Sequence, residues 1–160
     1  LYLMKAVIQR VYKAQVTVDG KVVGKTEKGL CIFLGVMVGD DRQQALRLAE
    51  KISKLRIFTD ENDKMNLSVN DIGGGALVIS NFTLAANCRH GNRPEFLSAE
   101  RPEGSVPLYE YFVSLLKERI KGGVECGVFG ADMTVSVEND GPITIIIDST
   151  ELSEIKEQKN

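Results

Sequence analysis

Two short runs hold the groups from which a reaction site could be built. The first, Ser80-Asn81-Phe82-Thr83-Leu84, leaves the apolar stretch 76–79 with two hydroxyls, an amide and an aromatic ring. The second, Asn139-Asp140-Gly141-Pro142, separates two β-branched runs, 133–137 and 143–148. Proline brings no N–H to a sheet ladder and glycine tolerates positive φ. Gly-Pro at this place therefore reads as the tip of a β-hairpin and as a candidate cis bond. Carbonyls of such a tip can point outward together, which suggests a site built from backbone. Thr83 is a candidate nucleophile, but a hydroxyl needs a base, and no acid or imidazole lies near it in sequence. On pattern alone Thr83 is a strand residue with satisfied hydrogen bonds, Phe82 a core ring and Gly141-Pro142 a trans turn.

What the chain lacks narrows the chemistry. With a single histidine, His90, a Ser-His-Asp hydrolase rests on one loop residue, and a His-rich metal site is disfavoured. Cys31, Cys88 and Cys126 are widely spaced and odd in number, which fits reduced thiols better than disulfides or a zinc site. The acidic run Asp60-Glu61-Asn62-Asp63 lacks the glycine and distal glutamate of an EF-hand. Gly73-Gly74-Gly75 lacks the Gly-Lys-Ser/Thr and helix of a phosphate loop. Both read as turns, and neither metal nor cofactor is expected. A net charge of −2 and a pI near 5.5 exclude a broad basic face, so any nucleic-acid contact must be local. No apolar run approaches the roughly 20 residues that span a bilayer and no signal-peptide pattern opens the chain, so a cytoplasmic protein without a membrane partner is expected.

The elements that must carry the two runs follow from periodicity. At 160 residues, 43% hydrophobic and 26% charged, one domain with a substantial core is the default. Residues 6–11 and 15–23 read as strands, the second folded at Asp19-Gly20. Residues 29–38 read as a buried strand, 55–58 as a short one, and 76–84 as the strand that delivers Ser80 to Leu84. Asp41 and Gln44 make a capping-box start for a helix whose Ala45, Leu48, Ala49, Ile52 and Leu55 share one face. A second helix is predicted over 108–121, after a long irregular segment, 87–107, that holds Arg89, His90, Arg93, Phe96 and Arg101. Strands near Val124 and over 133–137 and 143–148 complete one mixed α/β domain over 4–149. Residues 1–3 precede a natural-looking start at Met4 and read as a cloning remnant, and 150–160 as a polar tail.

Five ordered runs, Met4 to Val11, Leu55 to Phe58, Ser80 to Leu84, Phe129 to Met133 and Asn139 to Thr144, resemble the D-aminoacyl-tRNA deacylase family. The resemblance covers essentially Met4 to Ser149, and Ser-x-Phe-Thr-Leu paired with Asn-x-Gly-Pro is the family's signature. It implies a three-layer β-β-α sandwich or barrel-like sheet with two main helices, assembled as a homodimer. In that dimer Gly141-Pro142 of one subunit, as a cis dipeptide, reaches into the pocket of the other. The implied reaction is hydrolysis of the ester at the aminoacylated 3′ end of tRNA, a chiral proofreading step that releases a D-amino acid and extends to glycyl-tRNA. By the same resemblance Ser80, Asn81, Phe82 and Met133 contact the substrate, Thr83 and the Phe82 backbone stand at the ester, and Arg10 with Asn139 supports the Gly-Pro turn. The family usually carries glutamine where this chain has Asn81, one methylene shorter, so that a direct contact of that side chain with the substrate or the opposing Gly-Pro turn is expected to be lost or water-mediated.

An aminoacyl ester is already activated, so orientation and an oxyanion site matter more than a strong base. Backbone N–H groups near Phe82 and Thr83 are the candidate donors. Two attackers fit, Thr83 or a water helped by the substrate's own 2′-hydroxyl, and the absence of a visible partner for Thr83 favours the second. Carbonyls of Gly141 and Pro142 can hold the ammonium while main chain blocks the L-side-chain direction. Selection by exclusion would then accept D-residues broadly, reject L-residues and tolerate glycine. The alternative is a non-catalytic nucleic-acid-binding protein on the same scaffold, using Arg89, Arg93 and Phe96. The acidic pI disfavours it.

Overall fold

The computed structural model describes residues 3–152. In chain order its strands and α-helices are β1 (Lys5–Val18), β2 (Lys21–Thr26), β3 (Gly29–Gly35), α1 (Arg42–Lys54), β4 (Phe58–Thr59), β5 (Met65–Leu67), β6 (Gly75–Ser80), α2 (Pro102–Arg119), β7 (Val124–Cys126) and β8 (Thr134–Asp148). Asp19 and Gly20 both take positive φ, 50° and 75°, which suits the twist of a two-residue hairpin and turns β1 into β2 as expected. The near-continuous apolar run gives β3, which lies between β1, its antiparallel neighbour, and β6, its parallel one. The α1 cap forms as predicted: the Asp41 carboxylate accepts from Gln43 N–H at 2.8 Å, and the Gln44 side chain accepts from Asp41 N–H at 2.7 Å.

The six-stranded sheet runs β2-β1-β3-β6-β7, with β8 along the other edge of β1. It curls until β2 lies against β7: a side chain on Gly24 would stand 2.6 Å from the Cys126 carbonyl, so only glycine permits this approach. The result is a nearly closed, barrel-like mixed α/β domain. One core fills the space between sheet and helices, built on Leu30, Ile32, Leu48, Ile52, Phe112 and Leu116. A second, inside the curl, gathers Val11, Val16, Leu77 and Ile79, with Met133 packed against it.

Five expectations change. Residues 133–148 do not form a hairpin: β8 is one strand, and both halves pair antiparallel with β1, from Lys5↔Asp148 to Thr17↔Thr134. Gln9 pairs with Thr144 and Val11 with Asn139, so Arg10 alone faces residues 140–143, which leave the ladder as a bulge. The strand predicted over 76–84 stops at Ser80, and Phe82–Ala85 winds into a 3₁₀ turn. Asn81 N–H makes the last bond to this side of the sheet, to Leu34 O at 2.8 Å. Helix α2 starts at Pro102, whose fixed φ and missing N–H suit the first helical position, rather than at 108. It continues through Pro107 because Tyr109, Phe112, Val113, Leu115 and Leu116 are buried, which outweighs one lost hydrogen bond. The strand expected over 55–58 shrinks to β4. Of the polar tail, Ser149–Glu151 form a 3₁₀ turn on a buried Ser149, and residues 153–160, like Leu1 and Tyr2, lie outside the described residues.

One half-buried carboxyl couples this fold to pH. Asp40 accepts from Met37 N–H at 2.6 Å and Met4 N–H at 2.8 Å, tying the loop before α1 to the start of β1. Burial pushes its pKa up to about 6, against the lowering effect of those two bonds. A carboxyl raised in the folded state favours folding when protonated. Its contribution is complete below the ordinary carboxylate range and is lost as pH rises through about 6. Asp40→Asn, which keeps an acceptor but cannot ionise, is therefore expected to gain on wild type between about pH 4 and 6 in urea-denaturation midpoint. A gap independent of pH across that window would show that Asp40 does not titrate there.

Candidate active site

Ser80 ends β6, and the chain breaks into the 3₁₀ turn one residue later. That break turns Phe82 out of the sheet: its ring is 60% exposed, and it meets Phe96 edge-on at 5.3 Å between centroids. An exposed ring held from the side by another ring is a stacking surface rather than core. Beside it lies a cavity of about 220 Å³ whose lining includes Ser80, Asn81, Phe82, Tyr109, Phe129 and Met133. Tyr109 is anchored by donating its hydroxyl to Val78 O at 3.2 Å, and burial pushes its pKa upward.

Thr83 does not line this cavity, but its hydroxyl is tied to it. Thr83 Oγ1 donates to Asn81 Oδ1 at 2.5 Å. An amide oxygen orients a hydroxyl proton without being basic enough to remove it. The first bond of the 3₁₀ turn runs from Leu84 N–H to Asn81 O at 3.3 Å, and the Asn81 side chain makes no capping bond. The N–H groups of Phe82 and Thr83 therefore precede the ladder, like other first-turn donors.

A second cluster surrounds the bulge in β8. The Gly141-Pro142 bond is cis, and Gly141 takes φ 130°. Asn139 closes the bulge from within, accepting from Ile143 N–H at 2.8 Å and donating to Ile143 O at 3.3 Å. Arg10 holds it from across the ladder. Its guanidinium donates to the Asp140 carbonyl at 3.3 Å and the Asp140 carboxylate at 3.2 Å, and reaches Ile57 O at 2.8 Å and Thr59 Oγ1 at 3.2 Å. Arg10 is only 7% exposed, so this fork-shaped donor set is pinned between β4 and the bulge. The Asp140 carboxylate also accepts from the exposed Tyr12 hydroxyl, which it holds above its ordinary pKa.

Of the residues named from sequence, Ser80, Asn81, Phe82 and Met133 share the cavity, with Thr83 joined through Asn81. Arg10, Asn139, Gly141 and Pro142 form the other cluster. None of residues 139–143 lines that cavity within one chain, and Gly141 and Pro142 face outward, exposed. Sequence reasoning missed Tyr109, Glu100 and Ser105 in the cavity wall. They sit on α2 and just before it, and only the packing of the helix on the sheet brings them there. His90 is exposed in the loop after the 3₁₀ turn and lines neither cluster. Among the described residues no group of three or more His, Cys, Asp or Glu could hold a metal ion. None of the helices there is long and apolar enough to cross a membrane.

The fold and these two clusters define a class: small barrel-like α/β domains with a site made of backbone groups, an amide, hydroxyls and one presented ring. Known proteins make the class specific. The family model described as D-Tyr-tRNA(Tyr) deacylase matches residues 7–148, and the chain belongs to that family. Proteins named D-aminoacyl-tRNA deacylase are 57% identical in Persephonella marina, over 93% of this chain and 100% of the relative, and 52% identical in Flavobacterium psychrophilum, over 91% and 97%. A solved structure described as c-Myc DNA Unwinding Element Binding Protein superposes with a TM-score of 0.84 at 36% identity, covering 89% of this chain and 97% of that one. A probable eukaryotic D-amino acid tRNA deacylase, 16% identical with a TM-score of 0.75 over 91% and 98%, shares the fold.

Proposed function

We propose that the chain hydrolyses the ester of D-aminoacyl-tRNA, seating the 3′ adenosine on Phe82 and polarising the ester carbonyl with the N–H groups of Phe82 and Thr83. Family membership and the deacylase relatives support the reaction. The observation that carries the site assignment is the exposed Phe82 ring at the mouth of the Ser80–Met133 cavity, next to two backbone donors outside the 3₁₀ ladder. Preorganised donors of this kind stabilise the developing oxyanion at no reorganisation cost during reaction. Because Thr83 donates its proton to an amide, it is a poor nucleophile. Attack falls to a water assisted by the substrate's 2′-hydroxyl, with Asn81 and Thr83 orienting the ester.

At about 220 Å³ the cavity is smaller than the roughly 300–1,000 Å³ of ordinary ligand sites. The Gly141-Pro142 bulge, meanwhile, is held outward by Arg10 and Asn139. Both facts support a homodimer in which the bulge of one subunit closes the pocket of its partner. Its backbone would receive the substrate ammonium and leave no room for an L-side chain. This cytoplasmic proofreading role also fits the acidic pI better than the nucleic-acid-binding alternative does. The test is amino-acid release from matched D-, L- and glycyl-tRNA under single-turnover conditions, with wild type and Thr83→Ala. Wild type is expected to hydrolyse several D-esters, show some activity on glycyl-tRNA and spare L-esters. Thr83→Ala should stay within about tenfold of wild type, whereas loss of an obligatory nucleophile costs about 10⁴-fold or more. Equal rates on D- and L-esters would remove the chirality assignment, and a Thr83→Ala rate at the uncatalysed level would restore Thr83 as nucleophile.

A further inference from the structure

We propose that the projecting arm closed by Asn87 and Glu95 grips the backbone phosphates of the RNA strand that ends in the aminoacylated adenosine. The proposal rests on the deacylase reading and deepens it by locating the rest of the substrate.

The arm is built rather than loose. Asn87 and Glu95 exchange two backbone hydrogen bonds at 2.9 and 3.0 Å, the Asn87 side chain accepts from Arg89 N–H at 3.0 Å, and Gly91 turns the tip at φ 66°. Between the closing pair, Arg89, His90 and Arg93 are all exposed, and no acidic residue interrupts them. The next carboxylates in sequence bond to local backbone: Glu95 accepts from Leu97 N–H at 2.8 Å and Glu100 from Arg101 N–H at 2.7 Å. In a chain of net charge −2 this is a local concentration of positive charge, unsuited to non-specific coating of RNA and suited to a few defined phosphates.

Its position follows from the residue after the closing pair. Phe96 packs edge-on against Phe82, so the root of the arm and the adenosine platform share one aromatic contact. A second depression, about 290 Å³, takes in Leu84 and Ala85 of the 3₁₀ turn and is lined by Lys5 and Arg89 with no carboxylate among its walls. The turn thus has the Ser80–Met133 cavity on one side and, on the other, a hollow at the foot of the arm that Arg89 lines. A single strand whose last base stacks on Phe82 would pass over this turn, laying its preceding phosphates against Arg89 and Arg93. Arginine recognises phosphate through paired donors, and such contacts fix position without reading sequence.

The experiment compares three D-aminoacyl substrates of increasing length, the first without phosphate: the aminoacyl-adenosine ester, an aminoacyl trinucleotide and aminoacyl-tRNA. Each is assayed with wild type, Arg89→Gln/Arg93→Gln and Arg89→Lys/Arg93→Lys. The glutamine variant is expected to raise KM about tenfold on tRNA, with kcat little changed, and to flatten the dependence of log kcat/KM on log salt by about 1.4. It should match wild type on the phosphate-free ester, which also demonstrates an intact fold. The lysine variant should recover most of the salt slope. A trinucleotide that behaves like tRNA assigns the contact to the terminal single strand. An unchanged KM and salt slope on both phosphate-bearing substrates overturns the arm and leaves the deacylase reading standing. No hydrolysis by wild type overturns both.

Discussion

Arg10→Ala is expected to destabilise the domain by about 3–5 kcal/mol, the range for removing one member of a buried, hydrogen-bonded ion pair. The substitution leaves four acceptors without their donor at once: the carbonyl and carboxylate of Asp140, Ile57 O and Thr59 Oγ1. Two of these belong to the bulge and two to the segment around β4, so the loss uncouples elements far apart in sequence. The pair is shielded, with side-chain exposures of 9% for Arg10 and 17% for Asp140, so solvent screening reduces the effect little. For a domain of this size the midpoint of thermal unfolding should fall by roughly 10 °C. Arg10→Lys should recover only part of this, since an ammonium cannot serve the divergent acceptors of a planar guanidinium. Combining Arg10→Ala with Asp140→Asn should cost less than the sum of the two changes, because the second removes the charge that the first leaves stranded. Loss of less than about 1 kcal/mol in urea denaturation would mean that the bulge does not depend on Arg10.

The second large effect falls on activity rather than stability. A Cβ on Gly141 would stand 2.7 Å from Ile143 Cγ1 and 2.9 Å from Ile143 N, on a backbone with φ 130° that L-residues rarely adopt. Gly141→Ala therefore forces the bulge to reshape. Because the bulge is exposed, the stability cost should be limited to about 1–3 kcal/mol of backbone strain. The carbonyls that would meet the substrate ammonium move with it, and a misplacement on the order of 1 Å costs about 100-fold in rate. We expect kcat/KM on D-aminoacyl-tRNA to drop by at least about 100-fold while melting stays cooperative. Asn139→Ala, which removes the clamp on Ile143 without adding bulk, should move activity in the same direction by a smaller factor. A Gly141→Ala enzyme within about threefold of wild type would disconnect the bulge from catalysis.

Which parts of this were legible before folding depends on the range of the interactions concerned. Asp19-Gly20 and the Asp41-Gln44 cap rest on contacts within a few residues and appear where the pattern put them, and the apolar run predicted as a strand over 29–38 gives β3, which ends at Gly35. The ordered motifs were equally readable, and they led to the family that the comparisons show. Pro102 and Pro107 obscured the start of α2, since local rules count their cost and not the burial of Tyr109 and Phe112 that overrides it.

The sequence by itself determined that Gly141-Pro142 must break a β ladder, since proline brings no N–H to it, and that two hydroxyls, an amide and a ring follow the apolar run 76–79. Only the tertiary structure decided what each run became. Gly-Pro chemistry is the same in a hairpin tip and in a bulge, and the choice fell to β1, which is long enough to pair with both halves of β8. The same pairing places Arg10 opposite residues 140–143, turning a remote arginine into the brace of the bulge. Where the β6 ladder stops, at the bond to Leu34, decided that Phe82 is a presented ring and not a core one. Propensity acts along the chain, whereas register and burial are set by partners 47 and 130 residues away.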